Sequence, residues 1–509
     1  MDKKRFLINL MSNFLSALSG LGLSFFLTPY LVETLGKEAY GFYPLSNNFM
    51  MYAGIMATAL NSMSGRFIAI SLEKKNIKEV NVYFNSVLVG NMFLSLFFVF
   101  LGVVVTFYID KLLVVPSAIL TDIKFLFAIV FINLVISISS AIFSVIPFVL
   151  NRLDFLAFIS IIANVMKLGV ITFLFYLFAP QIYFLSLAAV FNTVYFFYMN
   201  YRMTKKLLPE IQIDFSLFSY RTLVLIISAG VWNSVLAISN VINTQLDLLI
   251  SNRFFGPSEM GLLSLTKFVP TAIQVLLGII VPTFLPDMMK AYANNDLQKL
   301  KEILTFSFKI IFLVALIPMA IFFVYGGEFF KLWLPGQDYR SLYYISVITL
   351  IPFVVHGTIE TVYHVFVVTN KLKLASFWGI FISLFNFLLV IILSKYSDLG
   401  LYSIPVAALC AGLISHFTFT PWYASFCLGE KKSYFFVKMI KSIIGFVFLI
   451  LISFLWKCLD LIHINSWMGF ILNMFIIGIV LLVVSVMTKF NRKTLLDMMQ
   501  KVMLKAKMQ

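Results

Sequence analysis

Polar material is what this chain has least of. Only 12% of its 509 residues are charged and 61% are hydrophobic, with a mean hydropathy of +0.99. An ordinary soluble chain is about 25% charged. So much apolar surface cannot be hidden from water, so the chain belongs in lipid. Cysteine is equally sparse. Cys410, Cys427 and Cys458 are scattered with no metal-ligand spacing, which excludes a zinc framework and leaves them as apolar fillers. No connection between apolar runs exceeds roughly 20 residues, too short for a soluble catalytic domain. No metal, no cofactor and no bond-making chemistry are expected.

Basic residues outnumber acidic ones, 38 to 22, for a net charge of +16. They form no nucleic-acid patch; they lie between the apolar runs, where they set topology. The basic start at Met1–Arg5 precedes a run longer than a signal-peptide core and without a small-residue cleavage site, so it reads as a retained first span.

On a ruler of about 20 apolar residues per membrane helix, the chain holds about 14 spans. Six run near 6–31, 40–72, 80–109, 123–150, 155–178 and 183–203. Six more run near 223–251, 260–289, 303–325, 341–369, 374–394 and 402–427, and a last pair near 438–456 and 467–489. With the N-terminus inside, about 26 of the 38 lysines and arginines fall in inner connections and about eight in outer ones. Both termini are therefore expected in the cytoplasm. The fold expected is an all-α polytopic membrane protein: two pseudo-symmetric six-helix lobes, 1–222 and 223–430, then two extra transmembrane helices and a basic tail, 431–509. The tail places Leu495, Met499, Val502 and Met503 on one helical face, as in a helix lying on the inner leaflet.

The lobes are suggested by one hairpin used twice. Its first joint reads TPYLVETLGKEAYGFY, Thr28 to Tyr43. A weaker copy, LDLLISNRFFGPSEMGLL, follows about 220 residues later. Gly36 and Gly41 share their five-residue spacing with Gly256 and Gly261, and the same offset carries Asn13 onto Asn233. Prolines interrupt many spans, and Pro282 with Pro286 marks the eighth as bent or broken.

Charges inside the spans are the candidate functional residues. Arg66, Lys167, Lys267 and Lys309 each cost about 2.5–3.5 kcal/mol at mid-membrane unless they face a cavity or a partner. Arg66 and Lys309 lie near inner ends, from which they can also snorkel to the headgroups. Lys167 is roughly 18 Å into its span, too deep for that, and is expected to face a cavity. Lys267 and Asp247 sit at similar depth on consecutive spans and could pair. Asn233, Asn240, Thr244 and Asp247 share one helical face, as do Asn9, Asn13, Ser16 and Gly20. Matched polar faces fit a wet cavity or interhelical glue. His356, Glu360 and His364 also share a face. With Asp247, they are candidates for coupling to H+ or Na+; a satisfied packing patch is the other reading, and a metal site a third, for which the spacing is a weak signal because it is not HExxH.

At Pro29-Tyr30-Leu31, Leu35-Gly36, Ala39-Tyr40-Gly41 and Arg66, the chain resembles the bacterial polysaccharide flippases. These translocate O-antigen and capsule repeat units (often called Wzx-type) and belong to the multidrug/oligosaccharidyl-lipid/polysaccharide exporter superfamily. The resemblance implies two lobes rocking around a central cavity in the cell membrane. It implies a polyprenyl-diphosphate oligosaccharide as substrate, with a polysaccharide polymerase as a possible partner. It also implies that Arg66, Lys167, Lys267 and Lys309 meet the diphosphate, while Asn13, Asn233 and Asn240 meet sugar hydroxyls. The first span lacks the buried acid of multidrug-exporting relatives. A cation-coupled drug exporter and a membrane polymerase or ligase are the rival expectations.

Overall fold

Backbone amides inside a bilayer must find protein partners, which leaves helices or closed barrels, and apolar runs of about 20 residues fit helices. The computed structural model describes residues 3–489, and among them every regular element is a helix. The leaflet helix expected in the tail lies outside the described residues. Among the described residues, twelve helices are long and apolar enough to cross a membrane. The expectation of about 14 differs at two places. The first two spans form one helical run, α1 (Lys3–Asn61), continued by α2 (Ser64–Glu73). The sixth span is a 25-residue helix, Tyr183–Leu207, too polar to be counted by composition.

α1 is two helices joined at Gly36, whose φ of 80° and ψ of 154° leave the helical region. A side chain there would be strained, and glycine is not. The copy behaves alike. After α3 (Ile77–Phe107), α4 (Leu120–Ser140), α5 (Leu153–Leu177), α6 (Tyr183–Leu207) and α7 (Tyr220–Thr244), the short helices α8 (Asp247–Phe255) and α9 (Pro257–Thr266) meet at Gly256, with φ 90° and ψ 177°. The repeat read in the sequence is thus a repeat of backbone geometry.

Proline decides where the later helices break. α10 (Phe268–Ile280) and α11 (Leu285–Ala293) are separated by a 3-10 turn, Val281–Phe284, that contains Pro282 and precedes Pro286. The eighth span is broken there. Between α12 (Leu297–Ile311) and α13 (Ile317–Trp333) lies a π-turn, Phe312–Leu316, two residues before Pro318. α14 (Tyr339–Ile359) passes through a 3-10 turn, Glu360–Val362, into α15 (Tyr363–Val368). α16 (Leu372–Tyr396) and α17 (Ser403–Ile414) follow. A second π-turn, Ser415–Phe419, then opens α18 (Thr420–Cys427), two residues before Pro421. Proline clashes with the carbonyl four residues earlier, and a widened turn relieves that clash. α19 (Tyr434–Cys458) and α20 (Trp467–Lys489) close the described chain.

The chain packs as two compact units. The first ends at Phe268 and also takes in Gly379–Ala407; the second is Val269–Trp378 with the rest of the chain. In the first unit, α1 runs along α7. Ser383 on α16 joins it through Ser239 Oγ (2.7 Å) and through Asn243 Nδ2, which donates at 2.6 Å. The connection after α6 is held in place, not loose. Asn81 and Asn85, one turn apart on α3, donate to the carbonyls of Glu210 and Gln212 at 3.1 and 2.8 Å. They accept from the amides of Gln212 and Asp214 at 2.7 and 3.0 Å. Two side-chain amides thereby serve the backbone groups that an extended segment leaves unpaired. In the second unit, a core of Leu300, Leu304, Val362, Val365, Phe366 and Phe435 joins α12, α15 and α19.

Candidate functional site

The hairpin copies meet within the first unit. A Cβ on Gly41 would lie 2.8 Å from the Gly261 Cα, and one on Gly261 would lie 2.2 Å from the Lys37 carbonyl oxygen. Further along, Asn48 Nδ2 and Tyr52 OH both donate to the Gln245 carbonyl, at 2.8 and 2.7 Å. Ser234 Oγ donates to the Ile55 carbonyl at 2.9 Å. Beyond it, Gly230 lies so near Ala59 that a Cβ would stand 2.0 Å from its carbonyl oxygen. Small residues let membrane helices approach at backbone distance, and this seam uses that from end to end.

The four span cations have four different surroundings. Lys267 Nζ pairs with Asp247 Oδ1 at 2.5 Å and also donates to the Thr244 carbonyl at 3.2 Å, so its charge is answered within the fold. Asp247 accepts in addition from the Leu248 amide at 2.8 Å. Arg66 is exposed on α2, and Lys309 is half-buried on α12 in the second unit. Lys167 differs from all of them. It stands about 20 Å along α5 from the helix start. Its Nζ donates to Tyr43 OH at 2.8 Å and sits 5.3 Å from the centre of that ring. Among the described residues no carboxylate pairs with it. A phenol supplies a lone pair and a π-face but no full negative charge, so this cation is only partly compensated.

The polar faces divide in the same way. On the first, Asn9 is buried: it donates to Asn151 Oδ1 at 2.9 Å and accepts from the Asp154 amide at 3.0 Å, tying α1 to the start of α5. Asn13 on the same face is exposed. On α7, Asn240 is exposed and Asn233 half-buried, while Thr244 Oγ1 bonds back to the Asn240 carbonyl at 2.8 Å. Asn9 ties two helices together, while Asn13 and Asn240 are exposed.

In the second unit, His356 Nε2 lies 2.5 Å from Glu360 Oε2. His364 follows on α15 and makes a 3.2 Å contact from Nε2 to the Val281 carbonyl, which lies in the 3-10 turn carrying Pro282. Spacing alone could not supply His416, which the second π-turn brings to 4.8 Å from the His356 ring centre. Nor could it supply Tyr43 as the partner of Lys167. The one available signal for His416 is scarcity: it is one of only four histidines in the chain. Among the described residues no cluster of histidine, cysteine and carboxylate side chains is arranged to hold a metal ion.

Comparison with known proteins agrees with this architecture. The model of the family described as "Polysaccharide biosynthesis protein" matches residues 6–292. The uncharacterized membrane protein EpsK of Bacillus subtilis (strain 168) is 28% identical over 441 residues, 87% of this chain and 86% of that one. Among solved structures, the lipid II flippase MurJ in an inward closed conformation superimposes with a TM-score of 0.67 at 15% identity, covering 94% of this chain and 98% of MurJ. An inward-facing multidrug resistance MATE family transporter of the MOP superfamily gives 0.68 at 13% identity, over 83% and 98%. These identities speak for the fold. The family match spans more than half of the sequence, and the chain is therefore a member of the polysaccharide biosynthesis protein family, a multi-pass membrane protein with the fold of MurJ and the MATE transporters.

Proposed function

We propose that this protein is a flippase that moves a polyprenyl-diphosphate-linked oligosaccharide from the inner to the outer leaflet for cell-surface polysaccharide assembly, without making or breaking a covalent bond. The observation that carries this reading is Lys167, a cation deep in a span that is held by the neutral Tyr43 side chain and, among the described residues, paired with no carboxylate. In a low-dielectric space such a charge favours an anionic ligand, and a diphosphate offers oxygen acceptors for charge-assisted hydrogen bonds. Arg66 and Lys309 are the further candidates for the diphosphate. Lys267 would serve only on release from Asp247. Asn13, Asn233 and Asn240 are the candidates for sugar hydroxyls. A groove of about 560 Å³ between α13 and α20, lined by Ile317, Phe322, Phe329, Phe470, Phe475 and Leu482, suits the isoprenoid tail. The two six-helix lobes, 1–222 and 223–430, with 431–509 appended, belong to the same proposal, as do alternating access and coupling to H+ or Na+.

The test is translocation in proteoliposomes. Labelled polyprenyl-diphosphate oligosaccharide in the inner leaflet should become accessible to external glycosidase faster than in empty liposomes. No gain over empty liposomes, across several glycans and with an imposed ion gradient, overturns the reading and leaves drug export as the alternative to assay.

We further propose a location in the cytoplasmic membrane of a bacterial cell, with both termini inside. Cys458, at the end of α19 on the outer side in this topology, is the exposed one of the three cysteines. A membrane-impermeant maleimide applied to intact cells should therefore label Cys458, with Cys458→Ser removing the signal. Labelling that requires permeabilised cells would invert the topology.

A further inference from the structure

Two imidazoles in the second unit each carry a nitrogen without a partner. His356 Nδ1 and His416 Nδ1 are both buried atoms that make no hydrogen bond. Buried polar atoms in native proteins are overwhelmingly satisfied, so a pair of exceptions on rings 4.8 Å apart calls for a reason. The backbone brings them together through two irregularities. His356 and Glu360 straddle the end of α14, where the helix tightens into the 3-10 turn Glu360–Val362. His416 lies in the π-turn that precedes Pro421. One turn earlier on each helix, Gly412 and Pro352 are in contact: a Cβ on Gly412 would lie 2.7 Å from the Pro352 Cβ. That close approach sets the register that brings the His416 ring to 4.8 Å from the His356 ring, tilted by 36°.

We propose that His356, Glu360 and His416 form a site holding one exchangeable proton, and that the ion coupled to transport is H+. The inference rests on the transporter reading above. The Glu360 bond at Nε2 leaves His356 Nδ1 as the lone pair that accepts a proton, the His416 ring beside it offers a second basic nitrogen, and Glu360 stabilises the resulting cation. Two imidazolium rings 4.8 Å apart repel, so the pair takes one proton, not two. Na+ suits the site poorly. A hard cation is held by several oxygen ligands, and here one carboxylate stands among imidazoles. The location fits coupling as well, because broken helices are where transporters place their ions.

The charged and titratable neighbours are few. Along the same segment they are His364 and Tyr363, whose ring centre is 5.7 Å from that of His356. α18 brings Tyr423 and Cys427, and α12, which packs on the 3-10 turn, brings Lys309. α13 and α19 bring Tyr325, Lys331, Lys438 and Lys441 and the mutually paired Glu328 and Lys457.

The test is a pH titration of the full chain in nanodiscs, with its histidines labelled at 13Cε1 and read by NMR. His356 and His416 should move together in one step. Glu360→Gln should lower that step by at least one pH unit. Separate ordinary titrations, no titration between about pH 4 and 9, or no response to Glu360→Gln would each overturn the site. Should Glu360→Gln not fold, His416→Asn serves: His356 should then titrate at a different pH, and an unchanged midpoint would overturn the pairing. In proteoliposomes, an imposed pH gradient should accelerate exchange, and Glu360→Gln should abolish the acceleration; acceleration that survives overturns the coupling. The titration needs no substrate, so its failure and that of the flippase reading are separate results.

Discussion

Lys167→Ala should slow translocation of the lipid-linked oligosaccharide by roughly tenfold to a hundredfold, the loss expected when one charge-assisted hydrogen bond of about 1.5–3 kcal/mol disappears. The argument begins with depth. A lysine about 20 Å along a membrane helix cannot reach either headgroup layer, so its charge must be met inside. Tyr43 meets it at 2.8 Å with a neutral hydroxyl, which holds the ammonium in place without neutralising it. Lys267 is the contrast, since Asp247 already answers its charge. Lys167→Arg should keep a substantial part of the rate, because the charge remains, while Lys167→Met should behave like alanine. Initial rates of glycosidase accessibility, with each variant reconstituted at equal density, make the measurement. An alanine variant at wild-type rate would move the diphosphate to Arg66, Lys309 or a freed Lys267. Tyr43→Phe should have a smaller effect, because the ring that faces the ammonium survives the loss of the hydroxyl.

Gly230→Ala is expected to destabilise the fold by about 3 kcal/mol or more, at the upper end of what overpacking costs. The added methyl would lie 2.0 Å from the carbonyl oxygen of Ala59 and 2.9 Å from its carbon. Both are backbone atoms and cannot swing aside, so α1 and α7 would have to separate. Their separation would strain the hydrogen bonds from Ser234 to the Ile55 carbonyl and from Asn48 and Tyr52 to the Gln245 carbonyl. Gly261→Ala should act similarly, its methyl meeting the Lys37 carbonyl at 2.2 Å. Gly54→Ala is the control. It lies on α1, the other side of the same seam, with nothing within 4 Å of its Cβ, so alanine there should be neutral or stabilising by up to about 1 kcal/mol. Thermal unfolding of the purified variants in one detergent separates these cases, and a Gly230→Ala protein that melts with wild type would show that the seam is not tightly packed.

The helices, their approximate ends and the repeated hairpin were determined by the sequence itself, because in lipid every backbone bond is local and each span must satisfy itself. Gly36 and Gly256 were legible for the same reason: a positive φ is a property of one residue and its neighbours. Pro282 and Pro286 announced the break in the eighth span just as locally. The direction in which each span faces was another matter. In water an apolar stripe marks the inside, but a membrane helix is apolar towards lipid and towards its neighbours alike. On α3, Phe84 and Phe98 are buried while Phe93 and Phe100 are exposed, and composition does not distinguish them. Tertiary structure therefore decided that Lys167 meets Tyr43, that Lys267 is matched by Asp247, and that Asn9 ties helices together while Asn13 stays open. It alone brought His416 to His356, because that meeting depends on a π-turn, a close glycine–proline contact and two segments far apart in the chain.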